Sequence, residues 1–355
     1  MKVIRSILLI INLILAVGLL LTTLAGNVAP SRSLLPSVAA YGYLPLLAAN
    51  VLMVLIWALM KRWPFLISVA AIALRWSLVG GYLQVGGTSK VPDREEHPQM
   101  VTLMTYNVHH FQGLDFHGPI SDSVALEFLK LIHEHQPDVL CMQEVSLPKK
   151  MNIVDSLEVM GYNHYYGTHQ DRRGRPYGTV VYSKMPITYV TRLDEEKLLV
   201  DLLVEGQKMR VCCVHMDSYQ FDDGDRAELD RARHGEVQES IRPTLGKIRE
   251  TILSHEKEWT DRLQPVVTES SVPLVVAGDM NDIPSSWLYR RLYREMSDCF
   301  REKGQGLSIT YNGYFPQFRI DMVFHSEGLQ TLSYHRIRCD VSDHYPVLTS
   351  LQLVP

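Results

Sequence analysis

The stretch Pro-Leu-Val-Val-Ala-Gly-Asp-Met-Asn-Asp (273–282) carries the deciding pattern of the chain. A short apolar strand over 273–278 ends on Gly278 and gives way at once to polar residues. Asp279 and Asn281 are two apart, which projects both to one side of an extended segment. Layered α/β proteins build their sites where strands end, so chemistry is expected at this boundary. The pattern recurs outward in both directions. Strands are expected over 100–108, 138–145, 178–183, 319–325 and 346–353, and a hairpin pairs 198–205 with 208–215 through Gly206-Gln207. Ser121 or Ser123 caps a helix with Val124, Phe128, Leu131 and Ile132 on one face, and Pro137 ends it. The polar stretch 226–267 reads as helices. Hairpins mixed with helices favour a two-sheet α/β sandwich over a parallel doubly wound sheet.

Charge divides the chain of 355 residues near residue 90. Residues 1–89 hold Lys2, Arg5, Arg32, Lys61, Arg62 and Arg75 but no acid and no histidine. The remainder carries 29 bases against 39 acids, a formal net charge of −10. That argues against a non-specific duplex-binding surface, which needs a cationic footprint. An apolar content of 46% excludes disorder for most of the chain.

The N-terminal third reads as a membrane anchor of two to three transmembrane helices. Ile7 to Leu24 is long and apolar enough to cross hydrocarbon. A second apolar run, Ala39 to Met60, follows it and disfavours a signal peptide. Phe65 to Val85 offers a third span, in which Arg75 costs ~2.5–3.5 kcal/mol against ~0.3–0.6 returned by each apolar residue. The bases place the N-terminus and Lys61-Arg62 in the cytoplasm. Three spans, the favoured reading, put residues 90–355 outside the cytoplasm, and two leave them inside. A polar linker (90–99) then leads to a domain over 100–355. Among the five cysteines, Cys212 and Cys213 are adjacent on a strand and point to opposite faces, so small buried hydrophobes are expected rather than a disulfide.

The polar residues of interest all sit at strand ends. They are Asn107 in Thr-Tyr-Asn-Val-His-His (105–110), Glu144 in Met-Gln-Glu-Val (142–145) and His215 in Val-His-Met-Asp-Ser (214–218). Asp279 and Asn281 follow in Ala-Gly-Asp-Met-Asn-Asp (277–282), then Asp321 in Arg-Ile-Asp-Met-Val-Phe (319–324), and Asp343-His344 in Val-Ser-Asp-His-Tyr-Pro (341–346). In this order and spacing the six segments resemble the endonuclease/exonuclease/phosphatase superfamily, whose fold is that of deoxyribonuclease I. The resemblance covers roughly residues 100–355. It implies a four-layered α/β sandwich and metal-dependent cleavage of phosphate esters, without naming the substrate. The preceding apolar spans resemble the membrane anchors of bacterial members, and with three spans the expectation is a multi-pass protein of the bacterial inner membrane whose catalytic domain is extracytoplasmic.

A phosphodiester repels an anionic nucleophile, so a site must neutralise nonbridging oxygens, activate water and stabilise the leaving oxygen. Oxygen ligands suit Mg²⁺, with Mn²⁺ as the alternative. Glu144 is the first-choice ligand, with Asn107 and Asp343 completing or orienting the shell. Asp279 would deprotonate the attacking water while Asn281 holds a phosphate oxygen. The resemblance pairs His344 with Asp321, which would fix its tautomer for donation to the phosphoryl group. His215 would lie on the leaving-group side. His109 and His110 adjoin Asn107 and are further candidates for substrate contact. The basic run Arg172-Arg173-Gly174-Arg175 is a candidate second anion site, and Tyr311, Tyr314 and Phe315 a candidate aromatic rim. No cysteine or histidine spacing points to a zinc site. The partners implied are a phosphate-ester substrate (nucleic acid, phospholipid or small molecule) and the membrane, with no obligate protein partner evident. A catalytically silent binding or scaffold domain of the same fold is the alternative, and a transporter built on the apolar spans has only Arg75 in its favour.

Overall fold

The computed structural model describes residues 2–114, 118–148, 150–222, 224–225, 227–228, 231, 241–313 and 317–354. Arg226 and Arg233 from the polar stretch, and Tyr314 and Phe315 of the expected aromatic rim, lie outside these residues. The chain forms two compact units. One holds the N-terminal segment through Gly81 together with Asp217–Asp261 and Ile283–Arg291, and the other holds everything else.

The larger unit is built on two six-stranded sheets, with strands numbered in chain order. One sheet runs β13 (Leu329–Arg336), β14 (Val347–Leu353), β2 (Met100–Asn107), β3 (Val139–Val145), β5 (Pro176–Ser183), β4 (His164–Gln170). The other runs β10 (Ser297–Asp298), β12 (Asp321–His325), β9 (Leu274–Asp279), β8 (Gln207–His215), β7 (Lys197–Val204), β6 (Ile187–Arg192). A small ribbon pairs β1 (Leu83–Gln84) with β11 (Gly306–Leu307). The sheets face each other across a core that joins Val101, Leu103 and Cys141 of the first to Val200, Cys213 and Ala277 of the second. Alternate residues of the first sheet, Met104, Tyr106, Leu140 and Met142, pack outward against helices α6 (Asp122–His135) and α7 (Ile153–Val159). Burial on both faces explains why β2 and β3 are apolar apart from Thr102, Thr105 and their C-terminal ends.

Local sequence explains several boundaries. Ser121 caps α6, its hydroxyl accepting from the Val124 amide. The β7–β8 turn is made by Glu205 and Gly206, both at positive φ (46° and 83°), one residue earlier than the sequence pattern suggested. That matches the twist of the hairpin. Gly278 is obligatory: its φ is +152° and a Cβ there would lie 1.8 Å from the Val214 carbonyl oxygen. Cys141, Cys212, Cys213 and Cys299 are buried free thiols.

In the smaller unit, α1 (Lys2–Leu21) packs with α3 (Tyr43–Leu59) and α4 (Phe65–Leu74). Their contact is polar at its centre. The Ser68 hydroxyl lies 2.6 Å from Asn12 Oδ1 and 2.8 Å from Asn50 Oδ1, while the two amides donate to the carbonyls of Pro64 and Leu15. All three side chains are buried, whereas Ile7, Ile14, Leu52, Leu55 and Leu66 are exposed on the outside. Polar side chains thus sit at the centre of the helix contact and large apolar ones lie on its outside. α1 with the 3₁₀ turn after it is the helix long and apolar enough to cross a membrane. α2 (Leu34–Ala40) and α3 would form a second span only as a pair bent by 61°. The expected third span is broken. α4 has 10 residues, about 15 Å of helix, and stops at Arg75, whose ψ of 13° leaves the helical region before the short α5 (Trp76–Val79). The stretch 226–267 is helical where described, as α8 (Ile241–Glu258), a π turn and α9 (Gln264–Glu269).

The larger unit contains one buried ion pair with a clear stability consequence. The Arg319 guanidinium donates two bonds to Asp298, at 2.9 and 2.6 Å, and lies 4.6 Å from the Phe300 ring. Both residues are under 3% exposed. Asp298→Asn should therefore strand a buried cation and destabilise this unit by about 3–5 kcal/mol in denaturant titrations. A loss below about 1 kcal/mol would show that the guanidinium finds other partners.

Candidate active site

Strand direction gathers the polar residues. β2 and β3 are parallel, as are β8 and β9, so Asn107, Glu144, His215 and Asp279 all lie at C-terminal strand ends on one side of the sandwich. β12 runs antiparallel to β9 and begins there, with Asp321 directly opposite Asp279. β14 is antiparallel to β2, with Val347 opposite Thr105, so His344 just before it arrives at the same end. A register shift in β3 between Met142 and Val145, with Glu144 at φ 54°, re-aims the Glu144 side chain. Asn281 is likewise held at φ 46°, its amide donating to Asp279 Oδ1 at 2.8 Å and its side chain to the Met216 carbonyl at 2.8 Å.

These side chains form one network. Asn107 Nδ2 donates to Glu144 Oε1 at 2.9 Å and to Asp279 Oδ2 at 3.1 Å, while its Oδ1 accepts from the His109 amide. His344 Nδ1 donates to Asp321 Oδ2 at 2.8 Å, and its Nε2 lies 3.7 Å from Asp279 Oδ2. Ser342 braces this loop by donating to the Asn107 carbonyl, and it also lies 3.2 Å from Asp343 Oδ1. On the far side, His215 Nδ1 faces Glu196 Oε2 at 3.2 Å and its Nε2 lies 3.4 Å from Glu144 Oε1. His110 Nε2 stands 3.5 Å from Glu144 Oε2, and His109 Nδ1 3.6 Å from Asp343 Oδ1.

The charges follow from this packing. Burial pushes the Asp279 carboxyl up, and the neighbouring Asp321 adds to it against the pull of His344 and His215, leaving it at about 6. Burial also opposes a charge on His344 and His215, but the carboxylates outweigh it. His344 is held well above the usual imidazole range by Asp321 and Asp279, and His215 at about 9 by Glu196, Glu144 and Asp279. For Glu144, burial is overcome by His215, Asn107 and His110, so it ionises more readily than an ordinary glutamate. Ligand atoms of Asp279, Asp321 and His344 lie within 4.8 Å of one another.

A model of the endonuclease/exonuclease/phosphatase family matches residues 104–344, more than half of the chain and nearly all of this network. The chain belongs to that family. A second match, to a domain of unknown function, covers residues 5–82. No curated protein matches the chain. Among solved structures, it is similar to ANGEL2, described as a 2′,3′-cyclic phosphatase (TM-score 0.50, 18% identity, 72% of this chain and 95% of that one). An endonuclease/exonuclease/phosphatase from Bacteroides vulgatus is also similar (0.48, 18%, 72% and 99%), as is the human Nocturnin catalytic domain (0.48, 16%, 75% and 100%). The two-sheet α/β architecture is the deoxyribonuclease I-like fold of the endonuclease/exonuclease/phosphatase family, whose members are phosphoesterases.

Sequence reading missed Glu196, Thr179, Ser342 and Thr310. Glu196 sits in the β6–β7 turn and is held by the Thr179 hydroxyl at 3.1 Å. Thr310 Oγ1 accepts from the Asp321 and Ile320 amides. None of them ends an apolar strand, so the signal that exposed the others did not apply. The 172–175 run forms the tip of the β4–β5 hairpin, where Arg175 pairs with Asp171. Tyr311 sets its ring edge-on to His344, with centroids 5.3 Å apart. The Asp321–His344 bond has a direct signature. In histidine-labelled protein, a downfield Nδ1–H proton should be present and should vanish in Asp321→Asn, and its persistence would assign the proton to another partner.

Proposed function

We propose that this family member is a membrane-attached, divalent-metal-dependent phosphoesterase acting on a phosphodiester. The reading rests on one observation: Asn107, Glu144, His215, Asp279, Asn281, Asp321 and His344 converge from two sheets on one end of the sandwich.

The residues fit a hard cation. The Glu144 side chain is 23% exposed against 1% for Asp279 and Asp321, and it is faced by nitrogens of Asn107, His110 and His215. It would be the main ligand for Mg²⁺ or Mn²⁺, with Asp343 contributing. Asn107 turns its NH₂ toward both carboxylates and engages its oxygen with the His109 amide, which favours the orienting role over direct ligation. A bound Mg²⁺ supplies positive charge to a nonbridging phosphate oxygen.

The protein groups divide the remaining work. Asp279 accepts the proton of the attacking water. The second N–H of the Asn281 amide is directed to a phosphate oxygen. His344, with Nδ1 committed to Asp321, presents Nε2–H to the phosphoryl group, and His215 presents Nε2 to the leaving oxygen. The scaffold alternative is disfavoured because every expected catalytic position is retained. A net charge of −10 beyond residue 89 weighs against nucleic acid, and an apolar N-terminal bundle weighs toward a lipid or small-molecule diester.

The charges of the smaller unit favour an extracytoplasmic catalytic region, reached by one further crossing through α4 and α5 after Lys61-Arg62. Asn50 meets Leu15, and Leu46 packs against Gly18, so α3 returns antiparallel to α1 and brings Lys61 and Arg62 to the end that bears Lys2 and Arg5. The inserted polar segments attach at the opposite end, where Ser31 binds Glu256 and the Ala40 carbonyl accepts from Ser285. Four bases at the other end favour the cytoplasm for that end.

Three measurements test the reading. A panel of DNA, RNA, sphingomyelin and simple phosphodiesters should give Mg²⁺-dependent turnover that chelator abolishes, with Glu144→Gln lowering it at least ~10²-fold and excess Mg²⁺ restoring part. Full activity in that variant would remove Glu144 from the ligand set. Losses in Asp321→Asn and His344→Ala should be non-additive, because either change disables the pair. A reporter fused after Pro355 should be active only when it requires export, and a signal from a cytoplasm-dependent reporter instead would reverse the assigned side.

A further inference from the structure

The turn that follows β2 is strained at three consecutive residues. His109, His110 and Phe111 stand at φ 43°, 52° and 58°, in the left-handed region that glycine fills without penalty and other residues enter rarely. Packing and backbone bonds hold the turn. Val108 and Phe111 are fully buried, and the Phe111 ring meets Phe128 edge-on with centroids 5.5 Å apart. The Val108 amide donates to the Gln143 carbonyl at 3.1 Å, the His109 amide to Asn107 Oδ1 at 3.0 Å and the Phe111 amide to the Val108 carbonyl at 2.8 Å. Phe111 therefore needs its side chain for the core, and His109 directs its ring to the Gly113 carbonyl and Asp343. His110 belongs to neither core cluster. Its side chain is 46% exposed, and glycine would suit its backbone better.

The His110 ring is aimed at Glu144. Its Nδ1 lies 2.9 Å from Ser146 Oγ, and its Nε2 stands 3.5 Å from Glu144 Oε2. The second distance is longer than a direct N–H···O bond, which runs about 2.7–3.2 Å. It suits two atoms that share one cation, because ligand bonds of ~2.0–2.2 Å meeting at roughly 90–110° set their ligand atoms about 2.8–3.6 Å apart. The opposite ring nitrogen is placed as in ligating histidines, where a bond from Nδ1–H to a neighbouring oxygen fixes the tautomer that turns the Nε2 lone pair to the metal. Glu144 is brought to the same spot by its own left-handed φ of 54°. Two strained residues, one after β2 and one on β3, thus present an imidazole and a carboxylate to each other.

We propose that His110 is a nitrogen ligand to the cation held by Glu144, so that the site selects Mn²⁺ and other divalent first-row transition ions over Mg²⁺. Mg²⁺ is a hard ion that favours oxygen and keeps its waters, whereas imidazole is a good partner for transition ions. The strained turn holds the imidazole in place before the metal arrives. This inference deepens the functional reading above and rests on it, since the assignment of Glu144 as a ligand is taken from there.

The full chain in detergent micelles is stripped of metal with chelator, desalted and titrated with Mn²⁺ or Mg²⁺. The parent, His110→Gly, His110→Asn, His215→Ala and Glu144→Gln are compared by calorimetry and by pulsed electron paramagnetic resonance of bound Mn²⁺. The parent should show coupling to a directly bound nitrogen, which both His110 variants lose and His215→Ala keeps. In His110→Gly the affinity for Mn²⁺ should fall at least about tenfold and that for Mg²⁺ change less than about twofold. Its metal-free melting midpoint should stay within about 2 °C of the parent, because glycine accepts the left-handed backbone, which separates a lost ligand from a lost fold. Nitrogen coupling that persists in both His110 variants, or Mn²⁺ affinity unchanged in His110→Gly, overturns the proposal; loss of Mn²⁺ binding in Glu144→Gln then leaves the functional reading standing. Mn²⁺ binding indifferent to Glu144→Gln removes Glu144 from the metal site and overturns that part of the functional reading together with the proposal.

Discussion

Two carboxylates face each other on neighbouring strands with almost no access to water, and the rest of that end of the sandwich is arranged around that fact. Asp279 and Asp321 are opposite one another in the β9–β12 ladder and both are about 1% exposed or less. Like charges in such a position repel across a poorly screened space. His344 relieves the conflict by bonding Asp321 and standing beside Asp279, and Asn107 adds an amide donor from the other sheet. Ser342, Thr310 and Tyr311 then hold these two in place. The outcome is an end of the sandwich at which Asp279, His215 and His344 hold their protons more tightly than on an ordinary surface while Glu144 gives its proton up more readily.

What was legible in the sequence was the set of polar residues that terminate apolar strands. Burial on both faces left β2, β3 and β9 nearly free of polar residues, so Asn107, Glu144 and Asp279 stood out where the strands stopped. The strands that escaped notice, β4, β6 and β13, are partly exposed and mix Tyr, Thr, His and Arg into their pattern. Glu196 escaped because acids are ordinary in turns, and only the fold brings that turn to His215. Arg319 was visible as a motif residue, but its bond to Asp298 depends on a strand pairing that the sequence does not announce. The expected third span is interrupted for a local reason: the insertion sum around Arg75 is near zero, and the backbone leaves the helix at that residue.

The division of the chain was the least legible feature. Charge and hydropathy separate residues 1–89 from the rest cleanly, and they are blind to which later segments pack with the early ones. Apolar positions at 241, 245, 248 and 252 suggest that the helix of this segment packs on the sandwich, whereas residues 217–261 group with the N-terminal helices. Their attachment is by hydroxyls, carboxylates and backbone groups at the helix ends, such as Ser31 with Glu256 and Ser285 with Ala40. Such contacts are directional and leave no periodic trace in sequence.

The polar centre of the bundle bears on why those contacts exist. Crossing a bilayer takes only about 20 apolar residues, a length that α1 with the turn after it reaches by itself. The Asn12–Asn50–Ser68 cluster does something more specific, because satisfied polar groups inside apolar helices fix which helices pack and at what height. Moving α3 by one turn against α1 would separate Asn50 from both Leu15 and Ser68 and leave buried amides without partners. A bundle with a defined register presents Ser31, Ala40 and Tyr41 at fixed positions on its end. Those positions are taken up by later segments of the same unit, Ser31 by Glu256, Tyr41 by Tyr219 and the Ala40 carbonyl by Ser285, so the register of the helices decides where those segments attach.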